Sequence, residues 1–415
     1  MTYTTIATQT YPDPQNQWLN GKHIIRTSAG IPYVIISTSN AAATIQVWKG
    51  NSSNPTSFTR MDSINSPASR SYSLSCAIDS NDVIHISHDC GWSHPTFLRY
   101  HTFDTSTDLF VTIDEIVYTT IYYQYGSNIA IDKNDIPHIS FIEMNDSTGE
   151  ICELQYTNRI GGSWKAPVIA QAIGNGDVIY FYYVRTDIVI DDSNLPVVGT
   201  SYWLDQASPY RKEVYVALGN VNNAASFTSY EVMAEDCSEY PSDFALGIDS
   251  YGNHYVIYST ITDVGDDTYY KAGFKKHTKG ASWNTWTAFS AGIENDNVVS
   301  WGGIWILRGG LDGDNVWMIA SVTNDGVNDL ILIIYSGSSW GEPQSLPKPA
   351  DYSSRVTANF TSIINNDSTG ANKYPDGGRK EFDYIVQGRV VYSYYKDYFC
   401  TNRIGVNKVM ILEMG

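Results

Sequence analysis

The sequence predicts an all-β chain folded as a single β-propeller of seven blades, each a sheet of four antiparallel strands. Its 415 residues include 31 Tyr and 11 Trp, and such aromatic residues favour strands over helices. An apolar strand, a tight turn and a second strand recur through most of the chain. Several of these units end in a Trp-containing turn followed by an outer strand. Short strands repeating at this period are typical of propeller blades.

The repeat is clearest around four aspartates, each of which follows an apolar strand. Asp79, Asp132, Asp191 and Asp249 are separated by 53, 59 and 58 residues. We expect each carboxylate to accept backbone N–H bonds, while a following Asn or Gly takes the unusual backbone angles of the turn. Three weaker copies complete a set of seven units, at residues 24–36, 307–319 and 359–394.

The ends of the chain are expected to close the ring. Residues 21–415 are predicted as the propeller and residues 1–20 as an N-terminal arm or closing strand, with Val409-Met410-Ile411-Leu412 as a further candidate strand. The N-terminus has neither the basic region nor the apolar core of a secretion signal, and no apolar run reaches membrane-spanning length. We therefore expect no membrane insertion.

Charge and cysteine content exclude several classes of protein. A net charge of −18 argues against nucleic acid as a partner, because phosphate is bound by basic surfaces. The five cysteines are scattered and form no C-x-x-C pair, so neither a disulfide framework nor a zinc ribbon is expected. No P-loop or nucleophile elbow is present, and no obligatory cofactor is predicted.

The repeat separates structural from functional histidines. His85, His138 and His254 lie at similar distances after their turn aspartates, which predicts a shared packing role. His88, His94 and His101 belong to one blade only, in or beside the segment His88-Asp89-Cys90-Gly91-Trp92-Ser93-His94-Pro95. Three interpretations stay open: a zinc site with His88, Cys90 and His94 as ligands, a sugar-binding loop with Trp92 and His94, or an ordinary folded loop.

The Trp turns resemble the Asp-box turns of sialidase-like (BNR) propellers, although the aspartate that names the box is absent. They are Gly161-Gly162-Ser163-Trp164, Gly280-Ala281-Ser282-Trp283 and Ser336-Gly337-Ser338-Ser339-Trp340. Ile24-Ile25-Arg26 is also similar to the first-blade arginine segment of that family. The resemblance implies a propeller fold and, without a complete catalytic set, no sialidase chemistry.

A second resemblance is to the propeller-fold lyases that cleave ulvan. Asp79, His85, His94 and Tyr100 match the later part of their pattern, while Ser71 and Tyr72 stand where an upstream histidine belongs. The resemblance implies a base, His94, that removes the proton beside a uronate carboxylate, and an acid, Tyr100, for the leaving oxygen. His88 and Arg99 would be their neighbours, with an arginine neutralising the carboxylate.

Other loops supply candidate binding residues. Aromatic and basic side chains near blade loops suit stacking on sugars, namely Trp203, Tyr210, Arg211 and Trp301. Acidic turns supply oxygen ligands that calcium favours, with Asp312 and Asp314 as the clearest pair. Structural calcium or zinc would be the only metals.

The predicted function is non-catalytic binding and assembly. Incomplete catalytic sets, the missing secretion signal and a surface rich in Asn, Ser, Thr and Tyr are similar to those of propellers in viral tails. This similarity implies a virion protein of a tail or host-attachment structure that contacts other virion proteins, host-surface glycans or both. The alternative is a polysaccharide lyase acting on a uronate-containing polymer. Either function places the protein in a virion or outside the cell.

Overall fold

The computed structural model consists of seven four-stranded antiparallel sheets, so the predicted all-β class is confirmed. No helix occurs among the residues that the structure describes. These are residues 3–8, 23–38, 44–53, 55–65, 73–90, 95–145, 152–173, 184–191, 193–204, 210–237, 244–264, 267–295, 304–312, 315–324, 327–345, 360–363, 379–386 and 389–396.

Each sheet is one blade, and its strands follow one another along the chain from the inner to the outer edge. Blades 1 to 3 contain β2 (Ile24–Arg26), β3 (Pro32–Thr38), β4 (Thr44–Gly50) and β5 (Phe58–Asn65); β6 (Leu74–Ile78), β7 (Val83–Cys90), β8 (Thr96–Asp104) and β9 (Leu109–Thr120); β10 (Tyr123–Ile131), β11 (Pro137–Met144), β12 (Cys152–Asn158) and β13 (Val168–Ala172).

The remaining four blades follow the same order, except that the last takes its outer strand from the N-terminus. They contain β14 (Arg185–Ile190), β15 (Pro196–Leu204), β16 (Tyr210–Gly219) and β17 (Phe227–Cys237); β18 (Ala245–Ile248), β19 (His254–Val264), β20 (Asp267–His277) and β21 (Ser290–Asn295); β22 (Ile304–Asp312), β23 (Asn315–Asn324), β24 (Val327–Tyr335) and β25 (Gln344–Ser345); β26 (Phe360–Ile363), β27 (Arg379–Val386), β28 (Arg389–Lys396) and β1 (Tyr3–Thr8).

The inner strands form a ring. Those of successive blades contact one another from β2 round to β26, and β2 contacts β27 of the last blade. Strand β1 pairs with β28, with Tyr3 opposite Ser393, and so completes blade 7. Val409-Met410-Ile411-Leu412 lies outside the described residues. Inner strands such as β6 and β14 are buried along their whole length, and apolar clusters fill the spaces between blades.

The turn aspartates accept backbone hydrogen bonds, as the repeat predicts. Asp79 Oδ1 accepts from the amides of Asn81 and Val83 at 2.9 and 2.8 Å. The fourth turn residue adopts a left-handed conformation, with φ of 61° at Asp82 and 62° at Asp135. Aspartate tolerates this region better than most residues, so the prediction of Asn or Gly at that position was too narrow.

Asp82 and Asp135 also join neighbouring blades, through hydrogen bonds from a serine of the preceding blade that are here called the clasp. The amide and hydroxyl of Ser28 in blade 1 donate to the carboxylate of Asp82 in blade 2, at 2.7 and 2.6 Å. Ser80 donates in the same way to Asp135 of blade 3, at 2.8 and 2.5 Å. The equivalent position in blade 5 is Gly252, which carries no side chain for such a contact. This clasp therefore joins the early blades and not every pair.

Replacing Asp135 by glycine should remove one clasp without straining the turn, since glycine adopts positive φ freely. We expect Asp135→Gly to lower the free energy of unfolding by about 1 kcal/mol, the typical value of lost charge-assisted hydrogen bonds at a partly exposed site. Ser80→Ala should cost little more when added to Asp135→Gly, because both changes break the same contact. Urea unfolding of the single and double variants measures this; fully additive losses would contradict the clasp.

Candidate functional site

The loop between β7 and β8 belongs to the propeller end opposite the Asp turns, here called the loop face. Trp92 and His94 lie in that loop, and Trp301 lies in the connection between β21 and β22; all three are outside the described residues. The strands on either side of residues 91–94 are described. They place His88 and Arg99 opposite each other, directly below the loop.

His88 and His101 form a buried imidazole pair. His101 Nε2 lies 2.9 Å from His88 Nδ1, and the two rings stack with centroids 4.8 Å apart. The backbone amide of Asp114 donates to His101 Nδ1 at 3.1 Å. Because that nitrogen accepts, the proton of His101 lies on Nε2 and is donated to His88. Both rings are therefore neutral and held in fixed tautomers.

The surroundings of the pair stabilise this neutral state. Burial, with the guanidinium of Arg99 nearby, lowers the pKa of His101 to about 3. Burial, His101 and Arg99 also lower the pKa of His88. Arg99 Nη1 lies 3.7 Å from Asp114 Oδ1, and burial raises the pKa of Asp114 while Arg99 opposes the rise. Neither histidine is exposed, so the pair is part of the packed interior of blade 2.

A bulge in the outer strand of blade 2 places the Asp114 amide where it donates to His101. The pairing of β8 with β9 shifts register between Tyr100 and Thr102, and Asp114 there has a φ of 56°. This turns the amide of Asp114 toward His101. The sequence flagged the histidines because they are confined to one blade, but it gave no sign of the register shift that supplies their partner.

Asp89, within the segment that contains the proposed zinc ligands, has a structural partner of its own. Asp89 accepts a hydrogen bond from the Ser73 amide at 3.0 Å and another from the Ser73 hydroxyl, which ties β7 to the inner strand. No cluster of three or more His, Cys, Asp or Glu residues suited to a metal occurs in the described part of the chain. The side chain of Cys90 and all of His94 lie outside it, so the zinc hypothesis stays a prediction.

Tyr100, the candidate acid, lies inside the blade and is 1% exposed. Its hydroxyl lies 2.5 Å from His85 Nδ1, and His85 Nε2 lies 3.3 Å from Asp79. Burial raises the pKa of Tyr100, which Arg159 opposes and nearby acids reinforce. The ring packs edge-on against Trp164 of blade 3. The hydroxyl therefore belongs to an Asp–His–Tyr network at the turn end of the blade.

Blade 3 contains a second copy of that network. His138 Nδ1 lies 2.5 Å from the Tyr156 hydroxyl, and His138 Nε2 lies 3.4 Å from Asp132. The prediction that His254 shares this role was wrong, because the next residue, Tyr255, occupies the position and donates to Asp249 at 3.1 Å. His254 packs instead against His277 and Trp283.

Arg211 is the predicted ligand-binding residue whose side chain is described. It lies near the start of β16, and its Nε donates to Glu213 Oε1 at 2.9 Å, while its side chain stays 42% exposed. Glu213 is fixed in turn by the Tyr202 hydroxyl at 2.6 Å. The arrangement holds a guanidinium at the loop face, with Nη groups that make no hydrogen bond to another described residue.

The remaining candidates are placed only by their backbone or lie elsewhere. Trp203 pairs with Lys212 across the two strands, and Tyr210 is the first residue of β16. The backbones of both therefore lie next to that of Arg211, and their side chains are not described. Asp312 is the last residue of β22, and Asp314 lies outside the described residues. Arg26 donates to the carbonyls of Gly30 and Ser53 at the propeller end that carries the Asp turns, opposite the loop face.

The similarity of this chain to known proteins is a similarity of fold. No family model matches the chain, and no curated protein matches it by sequence. The polysaccharide lyase Uly1 aligns with 95% of this chain and 92% of its own, with a TM-score of 0.51 and 9% sequence identity. The chain has a propeller fold.

Other solved structures are similar over comparable lengths. An α-L-arabinanase of Penicillium chrysogenum aligns with 95% of this chain and 97% of its own at 10% identity and a TM-score of 0.49. The α-L-arabinofuranosidase Arb93A of Fusarium graminearum aligns with 81% and 97% at 10% identity and a TM-score of 0.48. The resemblance of the Trp turns to BNR repeats stays a prediction. Among the described residues, no helix is long and apolar enough to cross a membrane.

Proposed function

We propose that this chain is a non-catalytic binding propeller that contacts host-surface glycans through its loop face and serves in a virion as a tail or attachment protein. The observation that carries the proposal is the repetition of the Tyr100 network in blade 3. When a side chain recurs at the same repeat position in two blades, buried and with the same hydrogen-bond partners in both, we interpret its role as packing. Tyr100 and Tyr156 fit that description, with exposures of 1% and 0%.

The guanidinium of Arg211 supports glycan binding. Glu213 and Tyr202 hold it in one orientation, so little conformational entropy is lost when a ligand binds. Its outward N–H groups can donate to sugar hydroxyls or to the carboxylate of an acidic sugar. Trp203 and Tyr210, at the loop ends of the same two strands, are the further candidates for sugar contact.

Arg211→Ala should weaken glycan binding at least tenfold. The measurement is binding of the purified chain to an array of host-surface glycans, followed by titration of the best ligand. Arg211→Lys should retain part of the affinity, since it keeps the charge but not the planar donor fork. Arg60→Ala, on the exposed outer strand of blade 1, is the matched control and should bind as the unmodified chain does. Equal binding by Arg211→Ala would contradict the assignment.

The competing hypothesis is a lyase with His94 as base and Tyr100 as acid, beside His88 and Arg99. It requires the Tyr100 hydroxyl to leave His85 and reach a bound uronate. Cleavage of a uronate polysaccharide with release of an unsaturated product would favour it. Recovery of the chain in a symmetric particle, with glycan bound and unchanged, would favour the binding function.

A further inference from the structure

The outer strand of blade 2 exposes a row of large apolar side chains, here called the β9 row. Leu109, Val111, Ile113, Ile116 and Ile121 are each 50 to 70% exposed. They lie along one strand of 12 residues and the turn that follows it. Only three other large apolar residues of the described chain are comparably exposed, and they are scattered over other blades.

The outer strands of blades 1 and 4 expose polar side chains at their free edges. The exposed positions of β5 are Thr59, Arg60, Ser63 and Asn65. Those of β17 include Thr228, Ser229 and Glu231. The β9 row exposes on the order of 500 Å² of apolar surface, close to the largest patch of an ordinary monomer and typical of an interaction site.

The backbone of β9 is unsuited to adding a further strand. Its pairing with β8 shifts register at three places, and Asp114 at one of them has positive φ. Bulges of this kind twist an edge away from regular pairing and protect it from edge-to-edge association. A partner therefore contacts the side chains of the row and does not extend the sheet.

The net charge of the chain argues against a second copy as the partner of the row. Residues 104–121 contain four acidic residues and no Lys or Arg. Lys49 pairs with Asp108 at 2.7 Å, Arg159 with Glu115 at 3.1 Å and Arg99 with Asp114 at 3.7 Å, so among the described residues Asp104 is the carboxylate of this segment without an ion pair. Two chains of charge −18 repel each other, and the row is smaller than the roughly 800 Å² per partner of a standard interface.

We propose that the β9 row is a docking surface for a segment of another protein in which apolar side chains alternate with Lys or Arg. The apolar side chains would cover the row, and a basic one would lie against Asp104. This surface lies on the outer edge of blade 2, apart from Arg211 in blade 4, and reaches the loop face only at Ile121. It gives the propeller a second, protein-binding site beside its proposed glycan site.

The test uses two synthetic peptides, one alternating Leu and Lys and one alternating Ser and Lys, followed by fluorescence anisotropy. The combined variant Val111→Thr, Ile113→Thr and Ile116→Thr removes apolar surface but keeps β-branched residues in the strand. We expect the Leu/Lys peptide to bind the unmodified chain at least tenfold more tightly than this variant, and the Ser/Lys peptide to bind neither. A control variant in β17, Thr228→Ser, Ser229→Thr and Glu231→Gln, should bind as the unmodified chain does.

Equal affinity of the Leu/Lys peptide for the unmodified chain and the β9 variant would overturn the proposal. So would a dimer in sedimentation velocity that the β9 variant abolishes, because the row would then bind a second copy. Circular dichroism establishes that the variant is folded. Glycan binding by the β9 variant is measured in parallel, so failure of the docking surface can be told apart from failure of the proposed glycan site.

Discussion

Replacing Asp132 by alanine is expected to lower the free energy of unfolding by about 3–5 kcal/mol, the cost of leaving several buried partners of one carboxylate unpaired. Asp132 accepts from the amides of Asn134 and Ile136 at 2.8 and 2.9 Å. The side-chain amides of Asn194 and Asn222 in blade 4 donate to its other oxygen at 3.0 and 3.1 Å. The carboxylate thus supports its own turn and the contact with the next blade.

Asp79→Ala is the matched comparison. It removes the same two turn hydrogen bonds and the contact with a nearby histidine. Among the described residues, however, no side-chain amide of blade 3 donates a hydrogen bond to Asp79. Asp79→Ala should lower the free energy of unfolding, measured in urea, by less than Asp132→Ala does. Equal losses would show that the contacts to Asn194 and Asn222 contribute nothing.

The effect of Asp132 should depend on pH. Burial alone would raise its pKa, but hydrogen bonds from His138, Ile136, Asn222 and Asn134 outweigh burial and lower it. Because the native pKa lies below that of the unfolded chain, the stabilisation is complete above about pH 5 and is lost as pH falls toward the native pKa. The difference between the unmodified chain and Asp132→Ala should therefore narrow in acid.

Tyr100→Phe and Tyr156→Phe should both destabilise the protein, by about 1–2 kcal/mol each, since each leaves a buried histidine without its hydroxyl partner. The loss at Tyr156 should be the larger, because its hydroxyl also contacts the Asn222 carbonyl at 3.2 Å and accepts from Asn158 at 3.3 Å. Phenylalanine keeps the ring packing against Trp164 at the first site. Thermal and urea unfolding measure both; no loss at either site would contradict the structural role.

Local regularity made the blades predictable from the sequence. The turn aspartates recur with their apolar strands, and their capping needs only residues within four positions along the chain. The two histidine networks follow from the same spacing. His254 did not, because it lies five residues after its aspartate and not six, and Tyr255 takes the equivalent position.

Features that depend on register or on neighbouring blades were beyond the sequence. The bulge at Asp114 sets the partner of His101, yet nothing in the order of residues marks it. Alternation in β9 predicts a strand without saying that its apolar residues face solvent, because the strand is outermost only in the assembled blade. The anchoring of Arg211 likewise depends on Tyr202, which lies on the neighbouring strand.

The most direct test of a binding propeller without catalysis is the ultraviolet absorbance of unsaturated product when the purified chain is incubated with a uronate-containing polysaccharide. The unmodified chain, Tyr100→Phe and Tyr156→Phe are compared under conditions where all three are folded. The account predicts no product from any of them. Product from the unmodified chain and from Tyr156→Phe, but not from Tyr100→Phe, would contradict it and assign Tyr100 to catalysis.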